Sequence, residues 1–468
     1  MSTTAPHHRF AVLAIILGSY LMIVLDISIV ITGLPRIRET LGFSAAQLSW
    51  VHSAYTLAFG GLLLLGARLG DILGRRRMFV AGLAIFTAAS MAIGMAQSAV
   101  WMLVARAVQG TGSAILAPST LALLSTSFPE GPERTRAVGL YGATAGIGAS
   151  IGLVVGGILA DWLSWRVGFF VNLPVGLALM VGAYRFFKET ERHSGRFDVV
   201  GAVSSTLGMG ALVFGMVHAA EAGWANALTL SALAASVTLI AILVLNERVA
   251  PQPIMPLWLF ANRERAGALV ARVLFLGAMV GFWFYTSQLL QGVLGFSAFA
   301  AGLAFLATAL PQFIAAMIVP RLTQRFGNDK VLVVGLTITT AGLAWQAAVV
   351  NLGLGYASLI VPMVLLGVGQ GWTLSPLTVA GIAGVPAGAA GAASGLVNVA
   401  HQLGGSLGLA VLVLVFAVGE DASAQLQLAH RIASVFAAGA VMLGLALALV
   451  AALHLLPGKS TPQAQSLT

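Results

Sequence analysis

The chain has 468 residues, of which 59% are hydrophobic and 8% are charged, and its formal net charge at pH 7 is +9. Soluble domains contain about a quarter of charged residues, so this composition excludes a water-soluble globular protein. The absence of cysteine excludes disulfides and thiolate metal sites.

Apolar runs long enough to cross a bilayer follow one another along the whole chain. A helical crossing needs about 20 apolar residues, and we therefore predict an all-α polytopic membrane protein with fourteen transmembrane helices. The short polar stretch 1–9 has no cleavage site after it, so we expect the first span to be retained. The runs begin near Phe10, Leu48, Met78, Val100, Ala137, Arg166, Val199, Ala227, Ala266, Ala300, Val331, Tyr356, Ala392 and Ile432.

The lysines and arginines indicate which way the spans face. Of the 24 in the chain, 18 fall on the side of the amino terminus, four fall on the opposite side, and Arg106 and Arg272 lie within spans. The four on the opposite side are Arg36, Arg38, Arg166 and Arg431. Because cytoplasmic loops carry the excess of basic residues, both termini are predicted to be cytoplasmic. In a membrane protein, an excess of basic residues in the loops indicates the orientation of the spans rather than nucleic-acid binding. We therefore expect no nucleic-acid partner.

The first span contains Asp26, the one carboxylate that the sequence places well inside a span. A buried charge there costs several kcal/mol unless it faces a partner or a wet cavity, so a functional role is the default interpretation. Nine residues separate Asp26 from Pro35 at the outer end, which is roughly 13 Å along a helix. Asp26 is therefore predicted to lie in the outer half of the bilayer.

A cluster of charges in the segment 68–77 separates the second and third spans. It contains Asp71, Gly74, Arg75 and Arg76, and apolar runs flank it on both sides. This pattern predicts a short turn at the membrane surface. Charges at such a position are poor candidates for binding a transported molecule, because water and helix ends already stabilise them.

The fourth span contains Arg106 at a depth similar to that of Asp26. Gln109 and Ser113 share its helical face, and the two charged side chains are predicted to meet. Burial disfavours a carboxylate and a guanidinium favours it, so movement of Arg106 would load and release a proton on Asp26. A static buried ion pair is the alternative interpretation.

The fifth span contains a stripe of glycines, Gly148, Gly152, Gly156 and Gly157. Small residues at this spacing allow two helices to approach closely. Helix packing and a role in gating are both consistent with the stripe.

The later spans repeat the plan of the early ones. A loop motif recurs at a constant offset, with Leu69, Gly74 and Arg77 matched by Leu322, Gly327 and Lys330. Duplicated halves are typical of secondary transporters, whose substrate site lies near the midplane between the halves. We predict a six-helix bundle in residues 1–190, an inserted pair of helices in 191–250, and a second six-helix bundle in 251–468.

Polar and aromatic side chains inside these spans are candidates for the wall of a substrate cavity. Asn398, His401 and Gln402 share one helical edge by their i, i+3, i+4 spacing. His52 is interpreted as a hydrogen-bonded helix contact, and Arg272 is expected to reach the cytoplasmic surface with its long side chain. The predicted cavity set is Gln109, Ser113, Gln288, Trp372, Asn398, His401 and Gln402.

These motifs resemble those of the major facilitator superfamily. The 68–77 loop is similar to the family signature G-x-L-x-D-x-x-G-R-K/R, with Ala67 in place of the leading glycine, and Arg106 opens an R-x-x-Q-G-x-G pattern. The glycine stripe resembles the antiporter pattern G-x-x-x-G-P-x-x-G-G, with Leu153 in place of the proline. Leu25-Asp26 and Asn172-Leu173-Pro174 resemble the fourteen-span drug:proton antiporter branch.

The resemblance implies an exporter of lipophilic or amphipathic compounds in the cytoplasmic membrane of a bacterium, driven by proton influx. It implies that Asp71, Gly74, Arg75 and Arg76 form a conformational latch that contacts the other half. Proton-coupled uptake of a small metabolite is the alternative. The expected partners are a small-molecule substrate, protons and membrane lipids. We expect a monomer that has no cofactor and uses the proton gradient as its energy source.

Enzymatic chemistry is not expected. Two matches to the nucleophile pattern G-x-S-x-G, beginning at Gly148 and Gly404, lie within apolar helical runs rather than at a strand-to-helix turn. No metal-ligand motif accompanies them, and no metal site is predicted.

Overall fold

A computed structural model of the chain describes residues 6–128, 132–189, 198–251, 253, 255, 257–385, 390–417 and 424–454. The regular structure in these residues consists of helices, and no strand occurs among them. The first seven α-helices are α1 Pro6–Leu41, α2 Trp50–Leu73, α3 Arg75–Gly94, α4 Ala99–Ser127, α5 Pro132–Ile158, α6 Trp165–Phe170 and α7 Asn172–Phe186.

Two further helices lie between the predicted bundles, α8 Val199–Ala222 and α9 Ala227–Val249. The remaining α-helices are α10 Arg263–Gln288, α11 Ala298–Ala304, α12 Leu306–Phe326, α13 Asn328–Asn351, α14 Tyr356–Ile382, α15 Ala390–Ala417 and α16 Ala424–His454.

Thirteen stretches of the described helices are long and apolar enough to cross a membrane. Two of them join consecutive helices, α6 with α7 and α11 with α12. The remaining predicted crossing is α5, which has 27 residues and continues into the apolar stretch Ile147–Leu163. The predicted all-α polytopic membrane fold is confirmed.

The repeated loop motif adopts the same backbone geometry in both copies. Gly74 separates α2 from α3 with a φ of 106°, and Gly327 separates α12 from α13 with a φ of 86°. Positive φ is readily available only to glycine, which explains the presence of glycine at both turns.

We call the membrane side where α1 begins the near side, and the opposite side the far side. Within the first part of the chain, α1 packs against α5, and α2 and α3 pack against α4. In the second part, α10 packs against α15 and α16, and α13 packs against α14. The two parts meet mainly where α2 contacts α15, α5 contacts α11 and α1 contacts α10.

The helix α8 packs against both α2 and α15, so it lies beside one of the seams between the two parts of the molecule. The exact boundaries 1–190, 191–250 and 251–468 stay a prediction. The largest apolar cluster includes residues of both parts, and its far-side portion contains Leu34, Leu153, Phe282 and Phe305. The two parts are therefore packed together at this side.

Candidate functional site

Asp26 of α1 and Arg106 of α4 form an ion pair inside the first part of the molecule. The Arg106 Nη1 donates to Asp26 Oδ2 at 2.7 Å, and both side chains are 1% exposed. The structure thus brings together the two charges that the sequence places at similar depth.

Two amide side chains complete the surroundings of Asp26. The Gln109 Nε2 donates to Asp26 Oδ1 at 2.7 Å, while Gln109 Oε1 accepts from Arg106 Nη1 at 2.6 Å. The Asn172 Nδ2 at the start of α7 donates to the same Oδ1 at 3.3 Å. Ser90 of α3 accepts from both amides, at 2.8 and 3.2 Å. The Asp26 oxygens thus accept from three side-chain donors, on Arg106, Gln109 and Asn172.

The rest of the Arg106 guanidinium is engaged by α2. Its Nε donates to the carbonyl oxygen of Val51 at 2.9 Å, and its Cζ lies 4.5 Å from the centre of the Tyr55 ring. The Tyr55 hydroxyl is in turn 2.8 Å from Ser113 Oγ. Asp26, Ser90, Arg106, Gln109 and Asn172 therefore form one buried network, which we call the acid–arginine network.

Three cavities lie along the seam between the two parts of the molecule. A central cavity of about 200 Å³ is lined by Ile27, Ser28, His52 and Trp283, among others. The near-side cavity is larger, about 660 Å³, and Ile27 lines it as well. The far-side cavity has a volume of about 350 Å³. Ile27, which lines both the central and the near-side cavity, directly follows Asp26 in α1.

The predicted cavity residues fall into different places. Asn398, His401 and Gln402 line the near-side cavity, and Gln288 lines the far-side cavity. Gln109 belongs to the acid–arginine network and Ser113 bonds to Tyr55, so their contacts are with protein groups. Trp372, Gln109 and Ser113 are not among the residues that line these three cavities.

The predicted latch residues bind to their own half in this conformation. Arg75 forms an ion pair with Asp71, and the Glu189 carboxylate accepts from the backbone N–H of Arg76 at 3.0 Å and of Arg77 at 3.3 Å. A carboxylate at the first turn of α3 is stabilised by the unpaired N–H groups there. Glu189 was not singled out from the sequence, and latching against the other half stays a prediction.

The glycine stripe of α5 lies where helices approach closely. A Cβ at Gly148 or Gly152 would lie 2.7 Å from side-chain atoms of α1, and one at Gly156 would lie 2.6 Å from the Ile29 Cα. Gly157 faces the other part of the molecule, because its Cβ would lie 2.5 Å from the carbonyl oxygen of Ala298 in α11. The role of the stripe in gating stays a prediction.

Arg272 does not reach the membrane surface, so the sequence-based expectation for this residue is wrong. It is 4% exposed, because α14 and α15 pack around α10 at this level. Its Nη1 donates to Thr378 Oγ1 at 2.8 Å, and its Nη2 lies 3.2 Å from the His401 Nδ1. Its Nε has no hydrogen-bond partner among the described residues.

His52 also differs from its interpretation as a hydrogen-bonded contact. Its Nε2 is buried without a partner among the described residues, and the side chain lines the central cavity. Sequence reasoning gave no role to Ser90, which has no distinguishing pattern around it. Asn172 was visible only as part of the Asn172-Leu173-Pro174 motif.

Comparisons with known proteins place these features in a family context. A family model described as the Major Facilitator Superfamily matches residues 16–409. The chain is 37% identical over 449 residues to the cephamycin export protein of Amycolatopsis lactamdurans, covering 95% of this chain and 92% of the relative. It is 36% identical over 406 residues to the puromycin resistance protein of Streptomyces alboniger, covering 86% of this chain and 80% of the relative.

Among solved structures, the fold is similar to one described as showing substrate recognition in proton dependent oligopeptide transporters. The TM-score is 0.66 at 14% sequence identity, and the match covers 96% of this chain and 98% of the other. At that identity the likeness concerns the fold alone.

Proposed function

This chain belongs to the Major Facilitator Superfamily, and on that premise we propose that it exports lipophilic or amphipathic small molecules in exchange for protons. Relatives whose names describe export of, or resistance to, antibiotics match most of the chain, which supports export over uptake. The site of action is the cytoplasmic membrane of a bacterium, and the near side is cytoplasmic, since most lysines and arginines lie there.

The conformation supports loading from the cytoplasm. On the far side, Ser287 Oγ of α10 donates to the Ile31 carbonyl oxygen at 2.7 Å, and Gln291 Nε2 donates to the Thr32 carbonyl oxygen at 3.1 Å. Together with the close approach of Gly157 to α11, these contacts hold the two parts together at the outer face. The largest of the three cavities lies on the near side, where an exporter takes up its cargo.

The observation that carries the proposal is the buried Asp26 carboxylate, which accepts hydrogen bonds from Arg106, Gln109 and Asn172. In the proposed cycle, the conformation with a near-side cavity is the one that follows release of the proton to the cytoplasm. Protonation of Asp26 from the outside would remove the negative charge that pairs with Arg106. The network would then rearrange, and the protein would favour a different conformation in each protonation state, as coupling requires.

We propose that α1 links cargo and proton without contact between the two. Ile27 and Ser28 line the central cavity directly after Asp26 in the chain, so rotation or bending of α1 at this level changes the cavity wall and the network together. Cargo in the cavity favours one orientation of α1, and each protonation state of Asp26 also favours one orientation of this helix. Each ligand then shifts the conformational equilibrium that the other one experiences.

An efflux panel tests this proposal. The chain is expressed in bacteria that lack their own drug exporters, and accumulation of lipophilic compounds of differing charge is measured with and without a protonophore. We expect lower accumulation of at least one compound class, restored to the level of vector-only cells by the protonophore. Export that persists at full rate without a proton gradient would contradict the proposal.

A further inference from the structure

We propose that Arg272 binds the anionic group of the transported molecule, a carboxylate-type monoanion on an amphipathic cargo. The site consists of the guanidinium together with Thr378 and His401, and of these three residues His401 lines the near-side cavity. This inference rests on the proposed export function and specifies the class of molecule that is exported.

Arg272 is a buried cation without a carboxylate partner. None of the ion pairs within the described part of the chain includes it, and its recorded partners are one hydroxyl and one histidine nitrogen. An arginine keeps its charge in a protein, so burial cannot be relieved by loss of a proton. Buried charges are normally paired, and a buried donor such as the Arg272 Nε without a partner requires an explanation. A negatively charged ligand supplies both the counter-charge and the acceptor.

The position of the guanidinium fits a ligand that enters the near-side cavity. His401 lines that cavity, and its Nδ1 lies 3.2 Å from Arg272 Nη2. Because a guanidinium only donates, the ring nitrogen is the acceptor in this contact. A carboxylate oxygen accepts more strongly than a neutral imidazole, so a ligand carboxylate would displace the ring and bind the guanidinium in its place.

The cavity wall matches an amphipathic anion. None of its lining residues is acidic, and its one lining arginine, Arg75, forms an ion pair with Asp71. Most of the other lining side chains are apolar, and the rings of Tyr20 and Tyr141 are stacked there at a centroid distance of 3.9 Å. A volume of about 660 Å³ lies within the range of drug-sized sites. An apolar body therefore fits beside one anionic group, and a cation would be repelled.

The phosphate of a membrane lipid has similar chemistry, but the depth of Arg272 favours a transported molecule. Nine residues separate it from Arg263 at the start of α10, roughly 13 Å along the helix. Lipid headgroups lie in the interfacial region rather than at this depth. The side chain also faces α14 and α15 rather than the outer surface of the bundle.

A binding experiment with a matched pair of probes tests the site. Dansyl-phenylalanine and its methyl ester share the same apolar body, and only the former carries a carboxylate. Equilibrium binding is measured on the full chain in nanodiscs of phosphatidylcholine, with empty nanodiscs as the blank. We expect the wild type to bind the acid about tenfold more tightly than the ester, which corresponds to about 1.4 kcal/mol.

Variants then locate the effect. Arg272→Gln is expected to weaken binding of the acid about tenfold and to leave binding of the ester within about twofold, while Arg272→Lys keeps part of the preference. The exposed Arg36 provides a matched control, and Arg36→Gln is expected to change neither probe. The preference of the wild type needs no variant, so it stays informative even if Arg272→Gln fails to fold.

Each outcome supports or overturns the assignment. A carboxylate that binds the wild type no better than its ester overturns it, as does an equal loss of both probes in Arg272→Gln. If phosphatidylglycerol in the nanodiscs abolishes binding of the acid, the site belongs to lipid headgroups and the cargo assignment is wrong. Charge-selective binding without gradient-dependent efflux in cells would reject the exporter proposal and leave the anion site intact. Gradient-dependent efflux without charge-selective binding would reject the anion site and leave the exporter proposal intact.

Discussion

Two buried arginines, one in each half of the molecule, have opposite surroundings. Arg106 is 1% exposed and is paired with Asp26, a glutamine oxygen, a backbone carbonyl oxygen and an aromatic ring. Arg272 is 4% exposed and has a hydroxyl, a histidine nitrogen and an unpartnered Nε. The first half thus contains a charge pair that is complete within the protein, and the second contains a charge that a ligand can complete.

The contrast extends to the polar groups around each arginine. The amides of the acid–arginine network, Gln109 and Asn172, both donate to Asp26. Around Arg272, the polar neighbours are Thr378 Oγ1 and His401 Nδ1, and the Arg272 Nε has no hydrogen-bond partner among the described residues. A satisfied network holds one arrangement rigidly, whereas unsatisfied groups are available to a ligand. This difference suggests that proton coupling and cargo recognition are divided between the halves.

The strongest test of the contrast removes each arginine in turn. Arg106→Gln leaves the buried Asp26 carboxylate without its counter-charge, and we expect a loss of about 3–5 kcal/mol in the free energy of unfolding. Arg272→Gln removes a charge that has no acidic partner, and we expect a change of no more than about 1 kcal/mol or a gain. Unfolding by SDS titration in mixed micelles measures both.

A second substitution serves as the control for this comparison. Adding Asp26→Asn to Arg106→Gln removes both charges, so the double variant should be more stable than Arg106→Gln alone. Equal losses for the two single arginine variants would show that their surroundings do not differ in the way described.

A smaller loss of stability is expected from Gln109→Leu, which keeps the size of the side chain and removes its hydrogen bonds. Asp26 and Ser90 each lose a donor, and Arg106 loses an acceptor. We expect a cost of about 2–3 kcal/mol, because buried groups would be left without partners. The matched control is Gln47→Leu, on an exposed glutamine in the short connection between α1 and α2. A cost no larger than that of the control would contradict the proposed completeness of the network.

A carboxylate placed beside Arg272 would make its surroundings more similar to those of Arg106. Thr378 Oγ1 accepts from Arg272 at 2.8 Å, and Thr378→Asp places a carboxylate at that point. We expect binding of the dansyl-phenylalanine carboxylate to weaken about tenfold and the free energy of unfolding to rise by about 1 kcal/mol. Thr378→Asn, which has no charge, is the control for shape. Unchanged binding of the carboxylate in Thr378→Asp would show that the ligand does not compete for Arg272.

The smallest expected effect comes from Tyr55→Phe. The substitution removes the hydrogen bond with Ser113 and leaves an aromatic ring over Arg106. We expect a cost of about 1 kcal/mol and coupled export close to that of the wild type. Tyr55→Leu also removes the ring and should cost about 1–2 kcal/mol more. Identical stabilities of the two variants would exclude a contribution from the ring.

Much of this molecule could be predicted from the sequence because hydrocarbon restricts what a spanning segment can be. Apolar runs and basic loops predicted the spans, and the recurrence of Gly74 as Gly327 predicted the two matching turns. The meeting of Asp26 and Arg106 was also predictable, since counting residues from the ends of two helices gives the depth of each charge.

Contacts that depend on the rotation and neighbours of a helix could not be predicted. Asn172 reaches Asp26, and Ser90 accepts from Gln109 and Asn172, because α3 and α7 pack beside α1 and α4. The sequence does not give that arrangement. The sequence predicted that the long side chain of Arg272 reaches the cytoplasmic surface. The packing of α14 and α15 around α10 encloses it instead, so its burial depends on the assembly of the helices.

The most direct test of the account measures uphill transport in proteoliposomes with an imposed proton gradient. The wild type is compared with Asp26→Asn and with Glu39→Gln, a control on an exposed acid of the same helix, using a compound identified in the efflux panel. The account predicts gradient-driven accumulation by the wild type and by Glu39→Gln, and none by Asp26→Asn at an equal amount of inserted protein. Accumulation by Asp26→Asn at the wild-type rate would contradict the claim that this carboxyl carries the coupled proton.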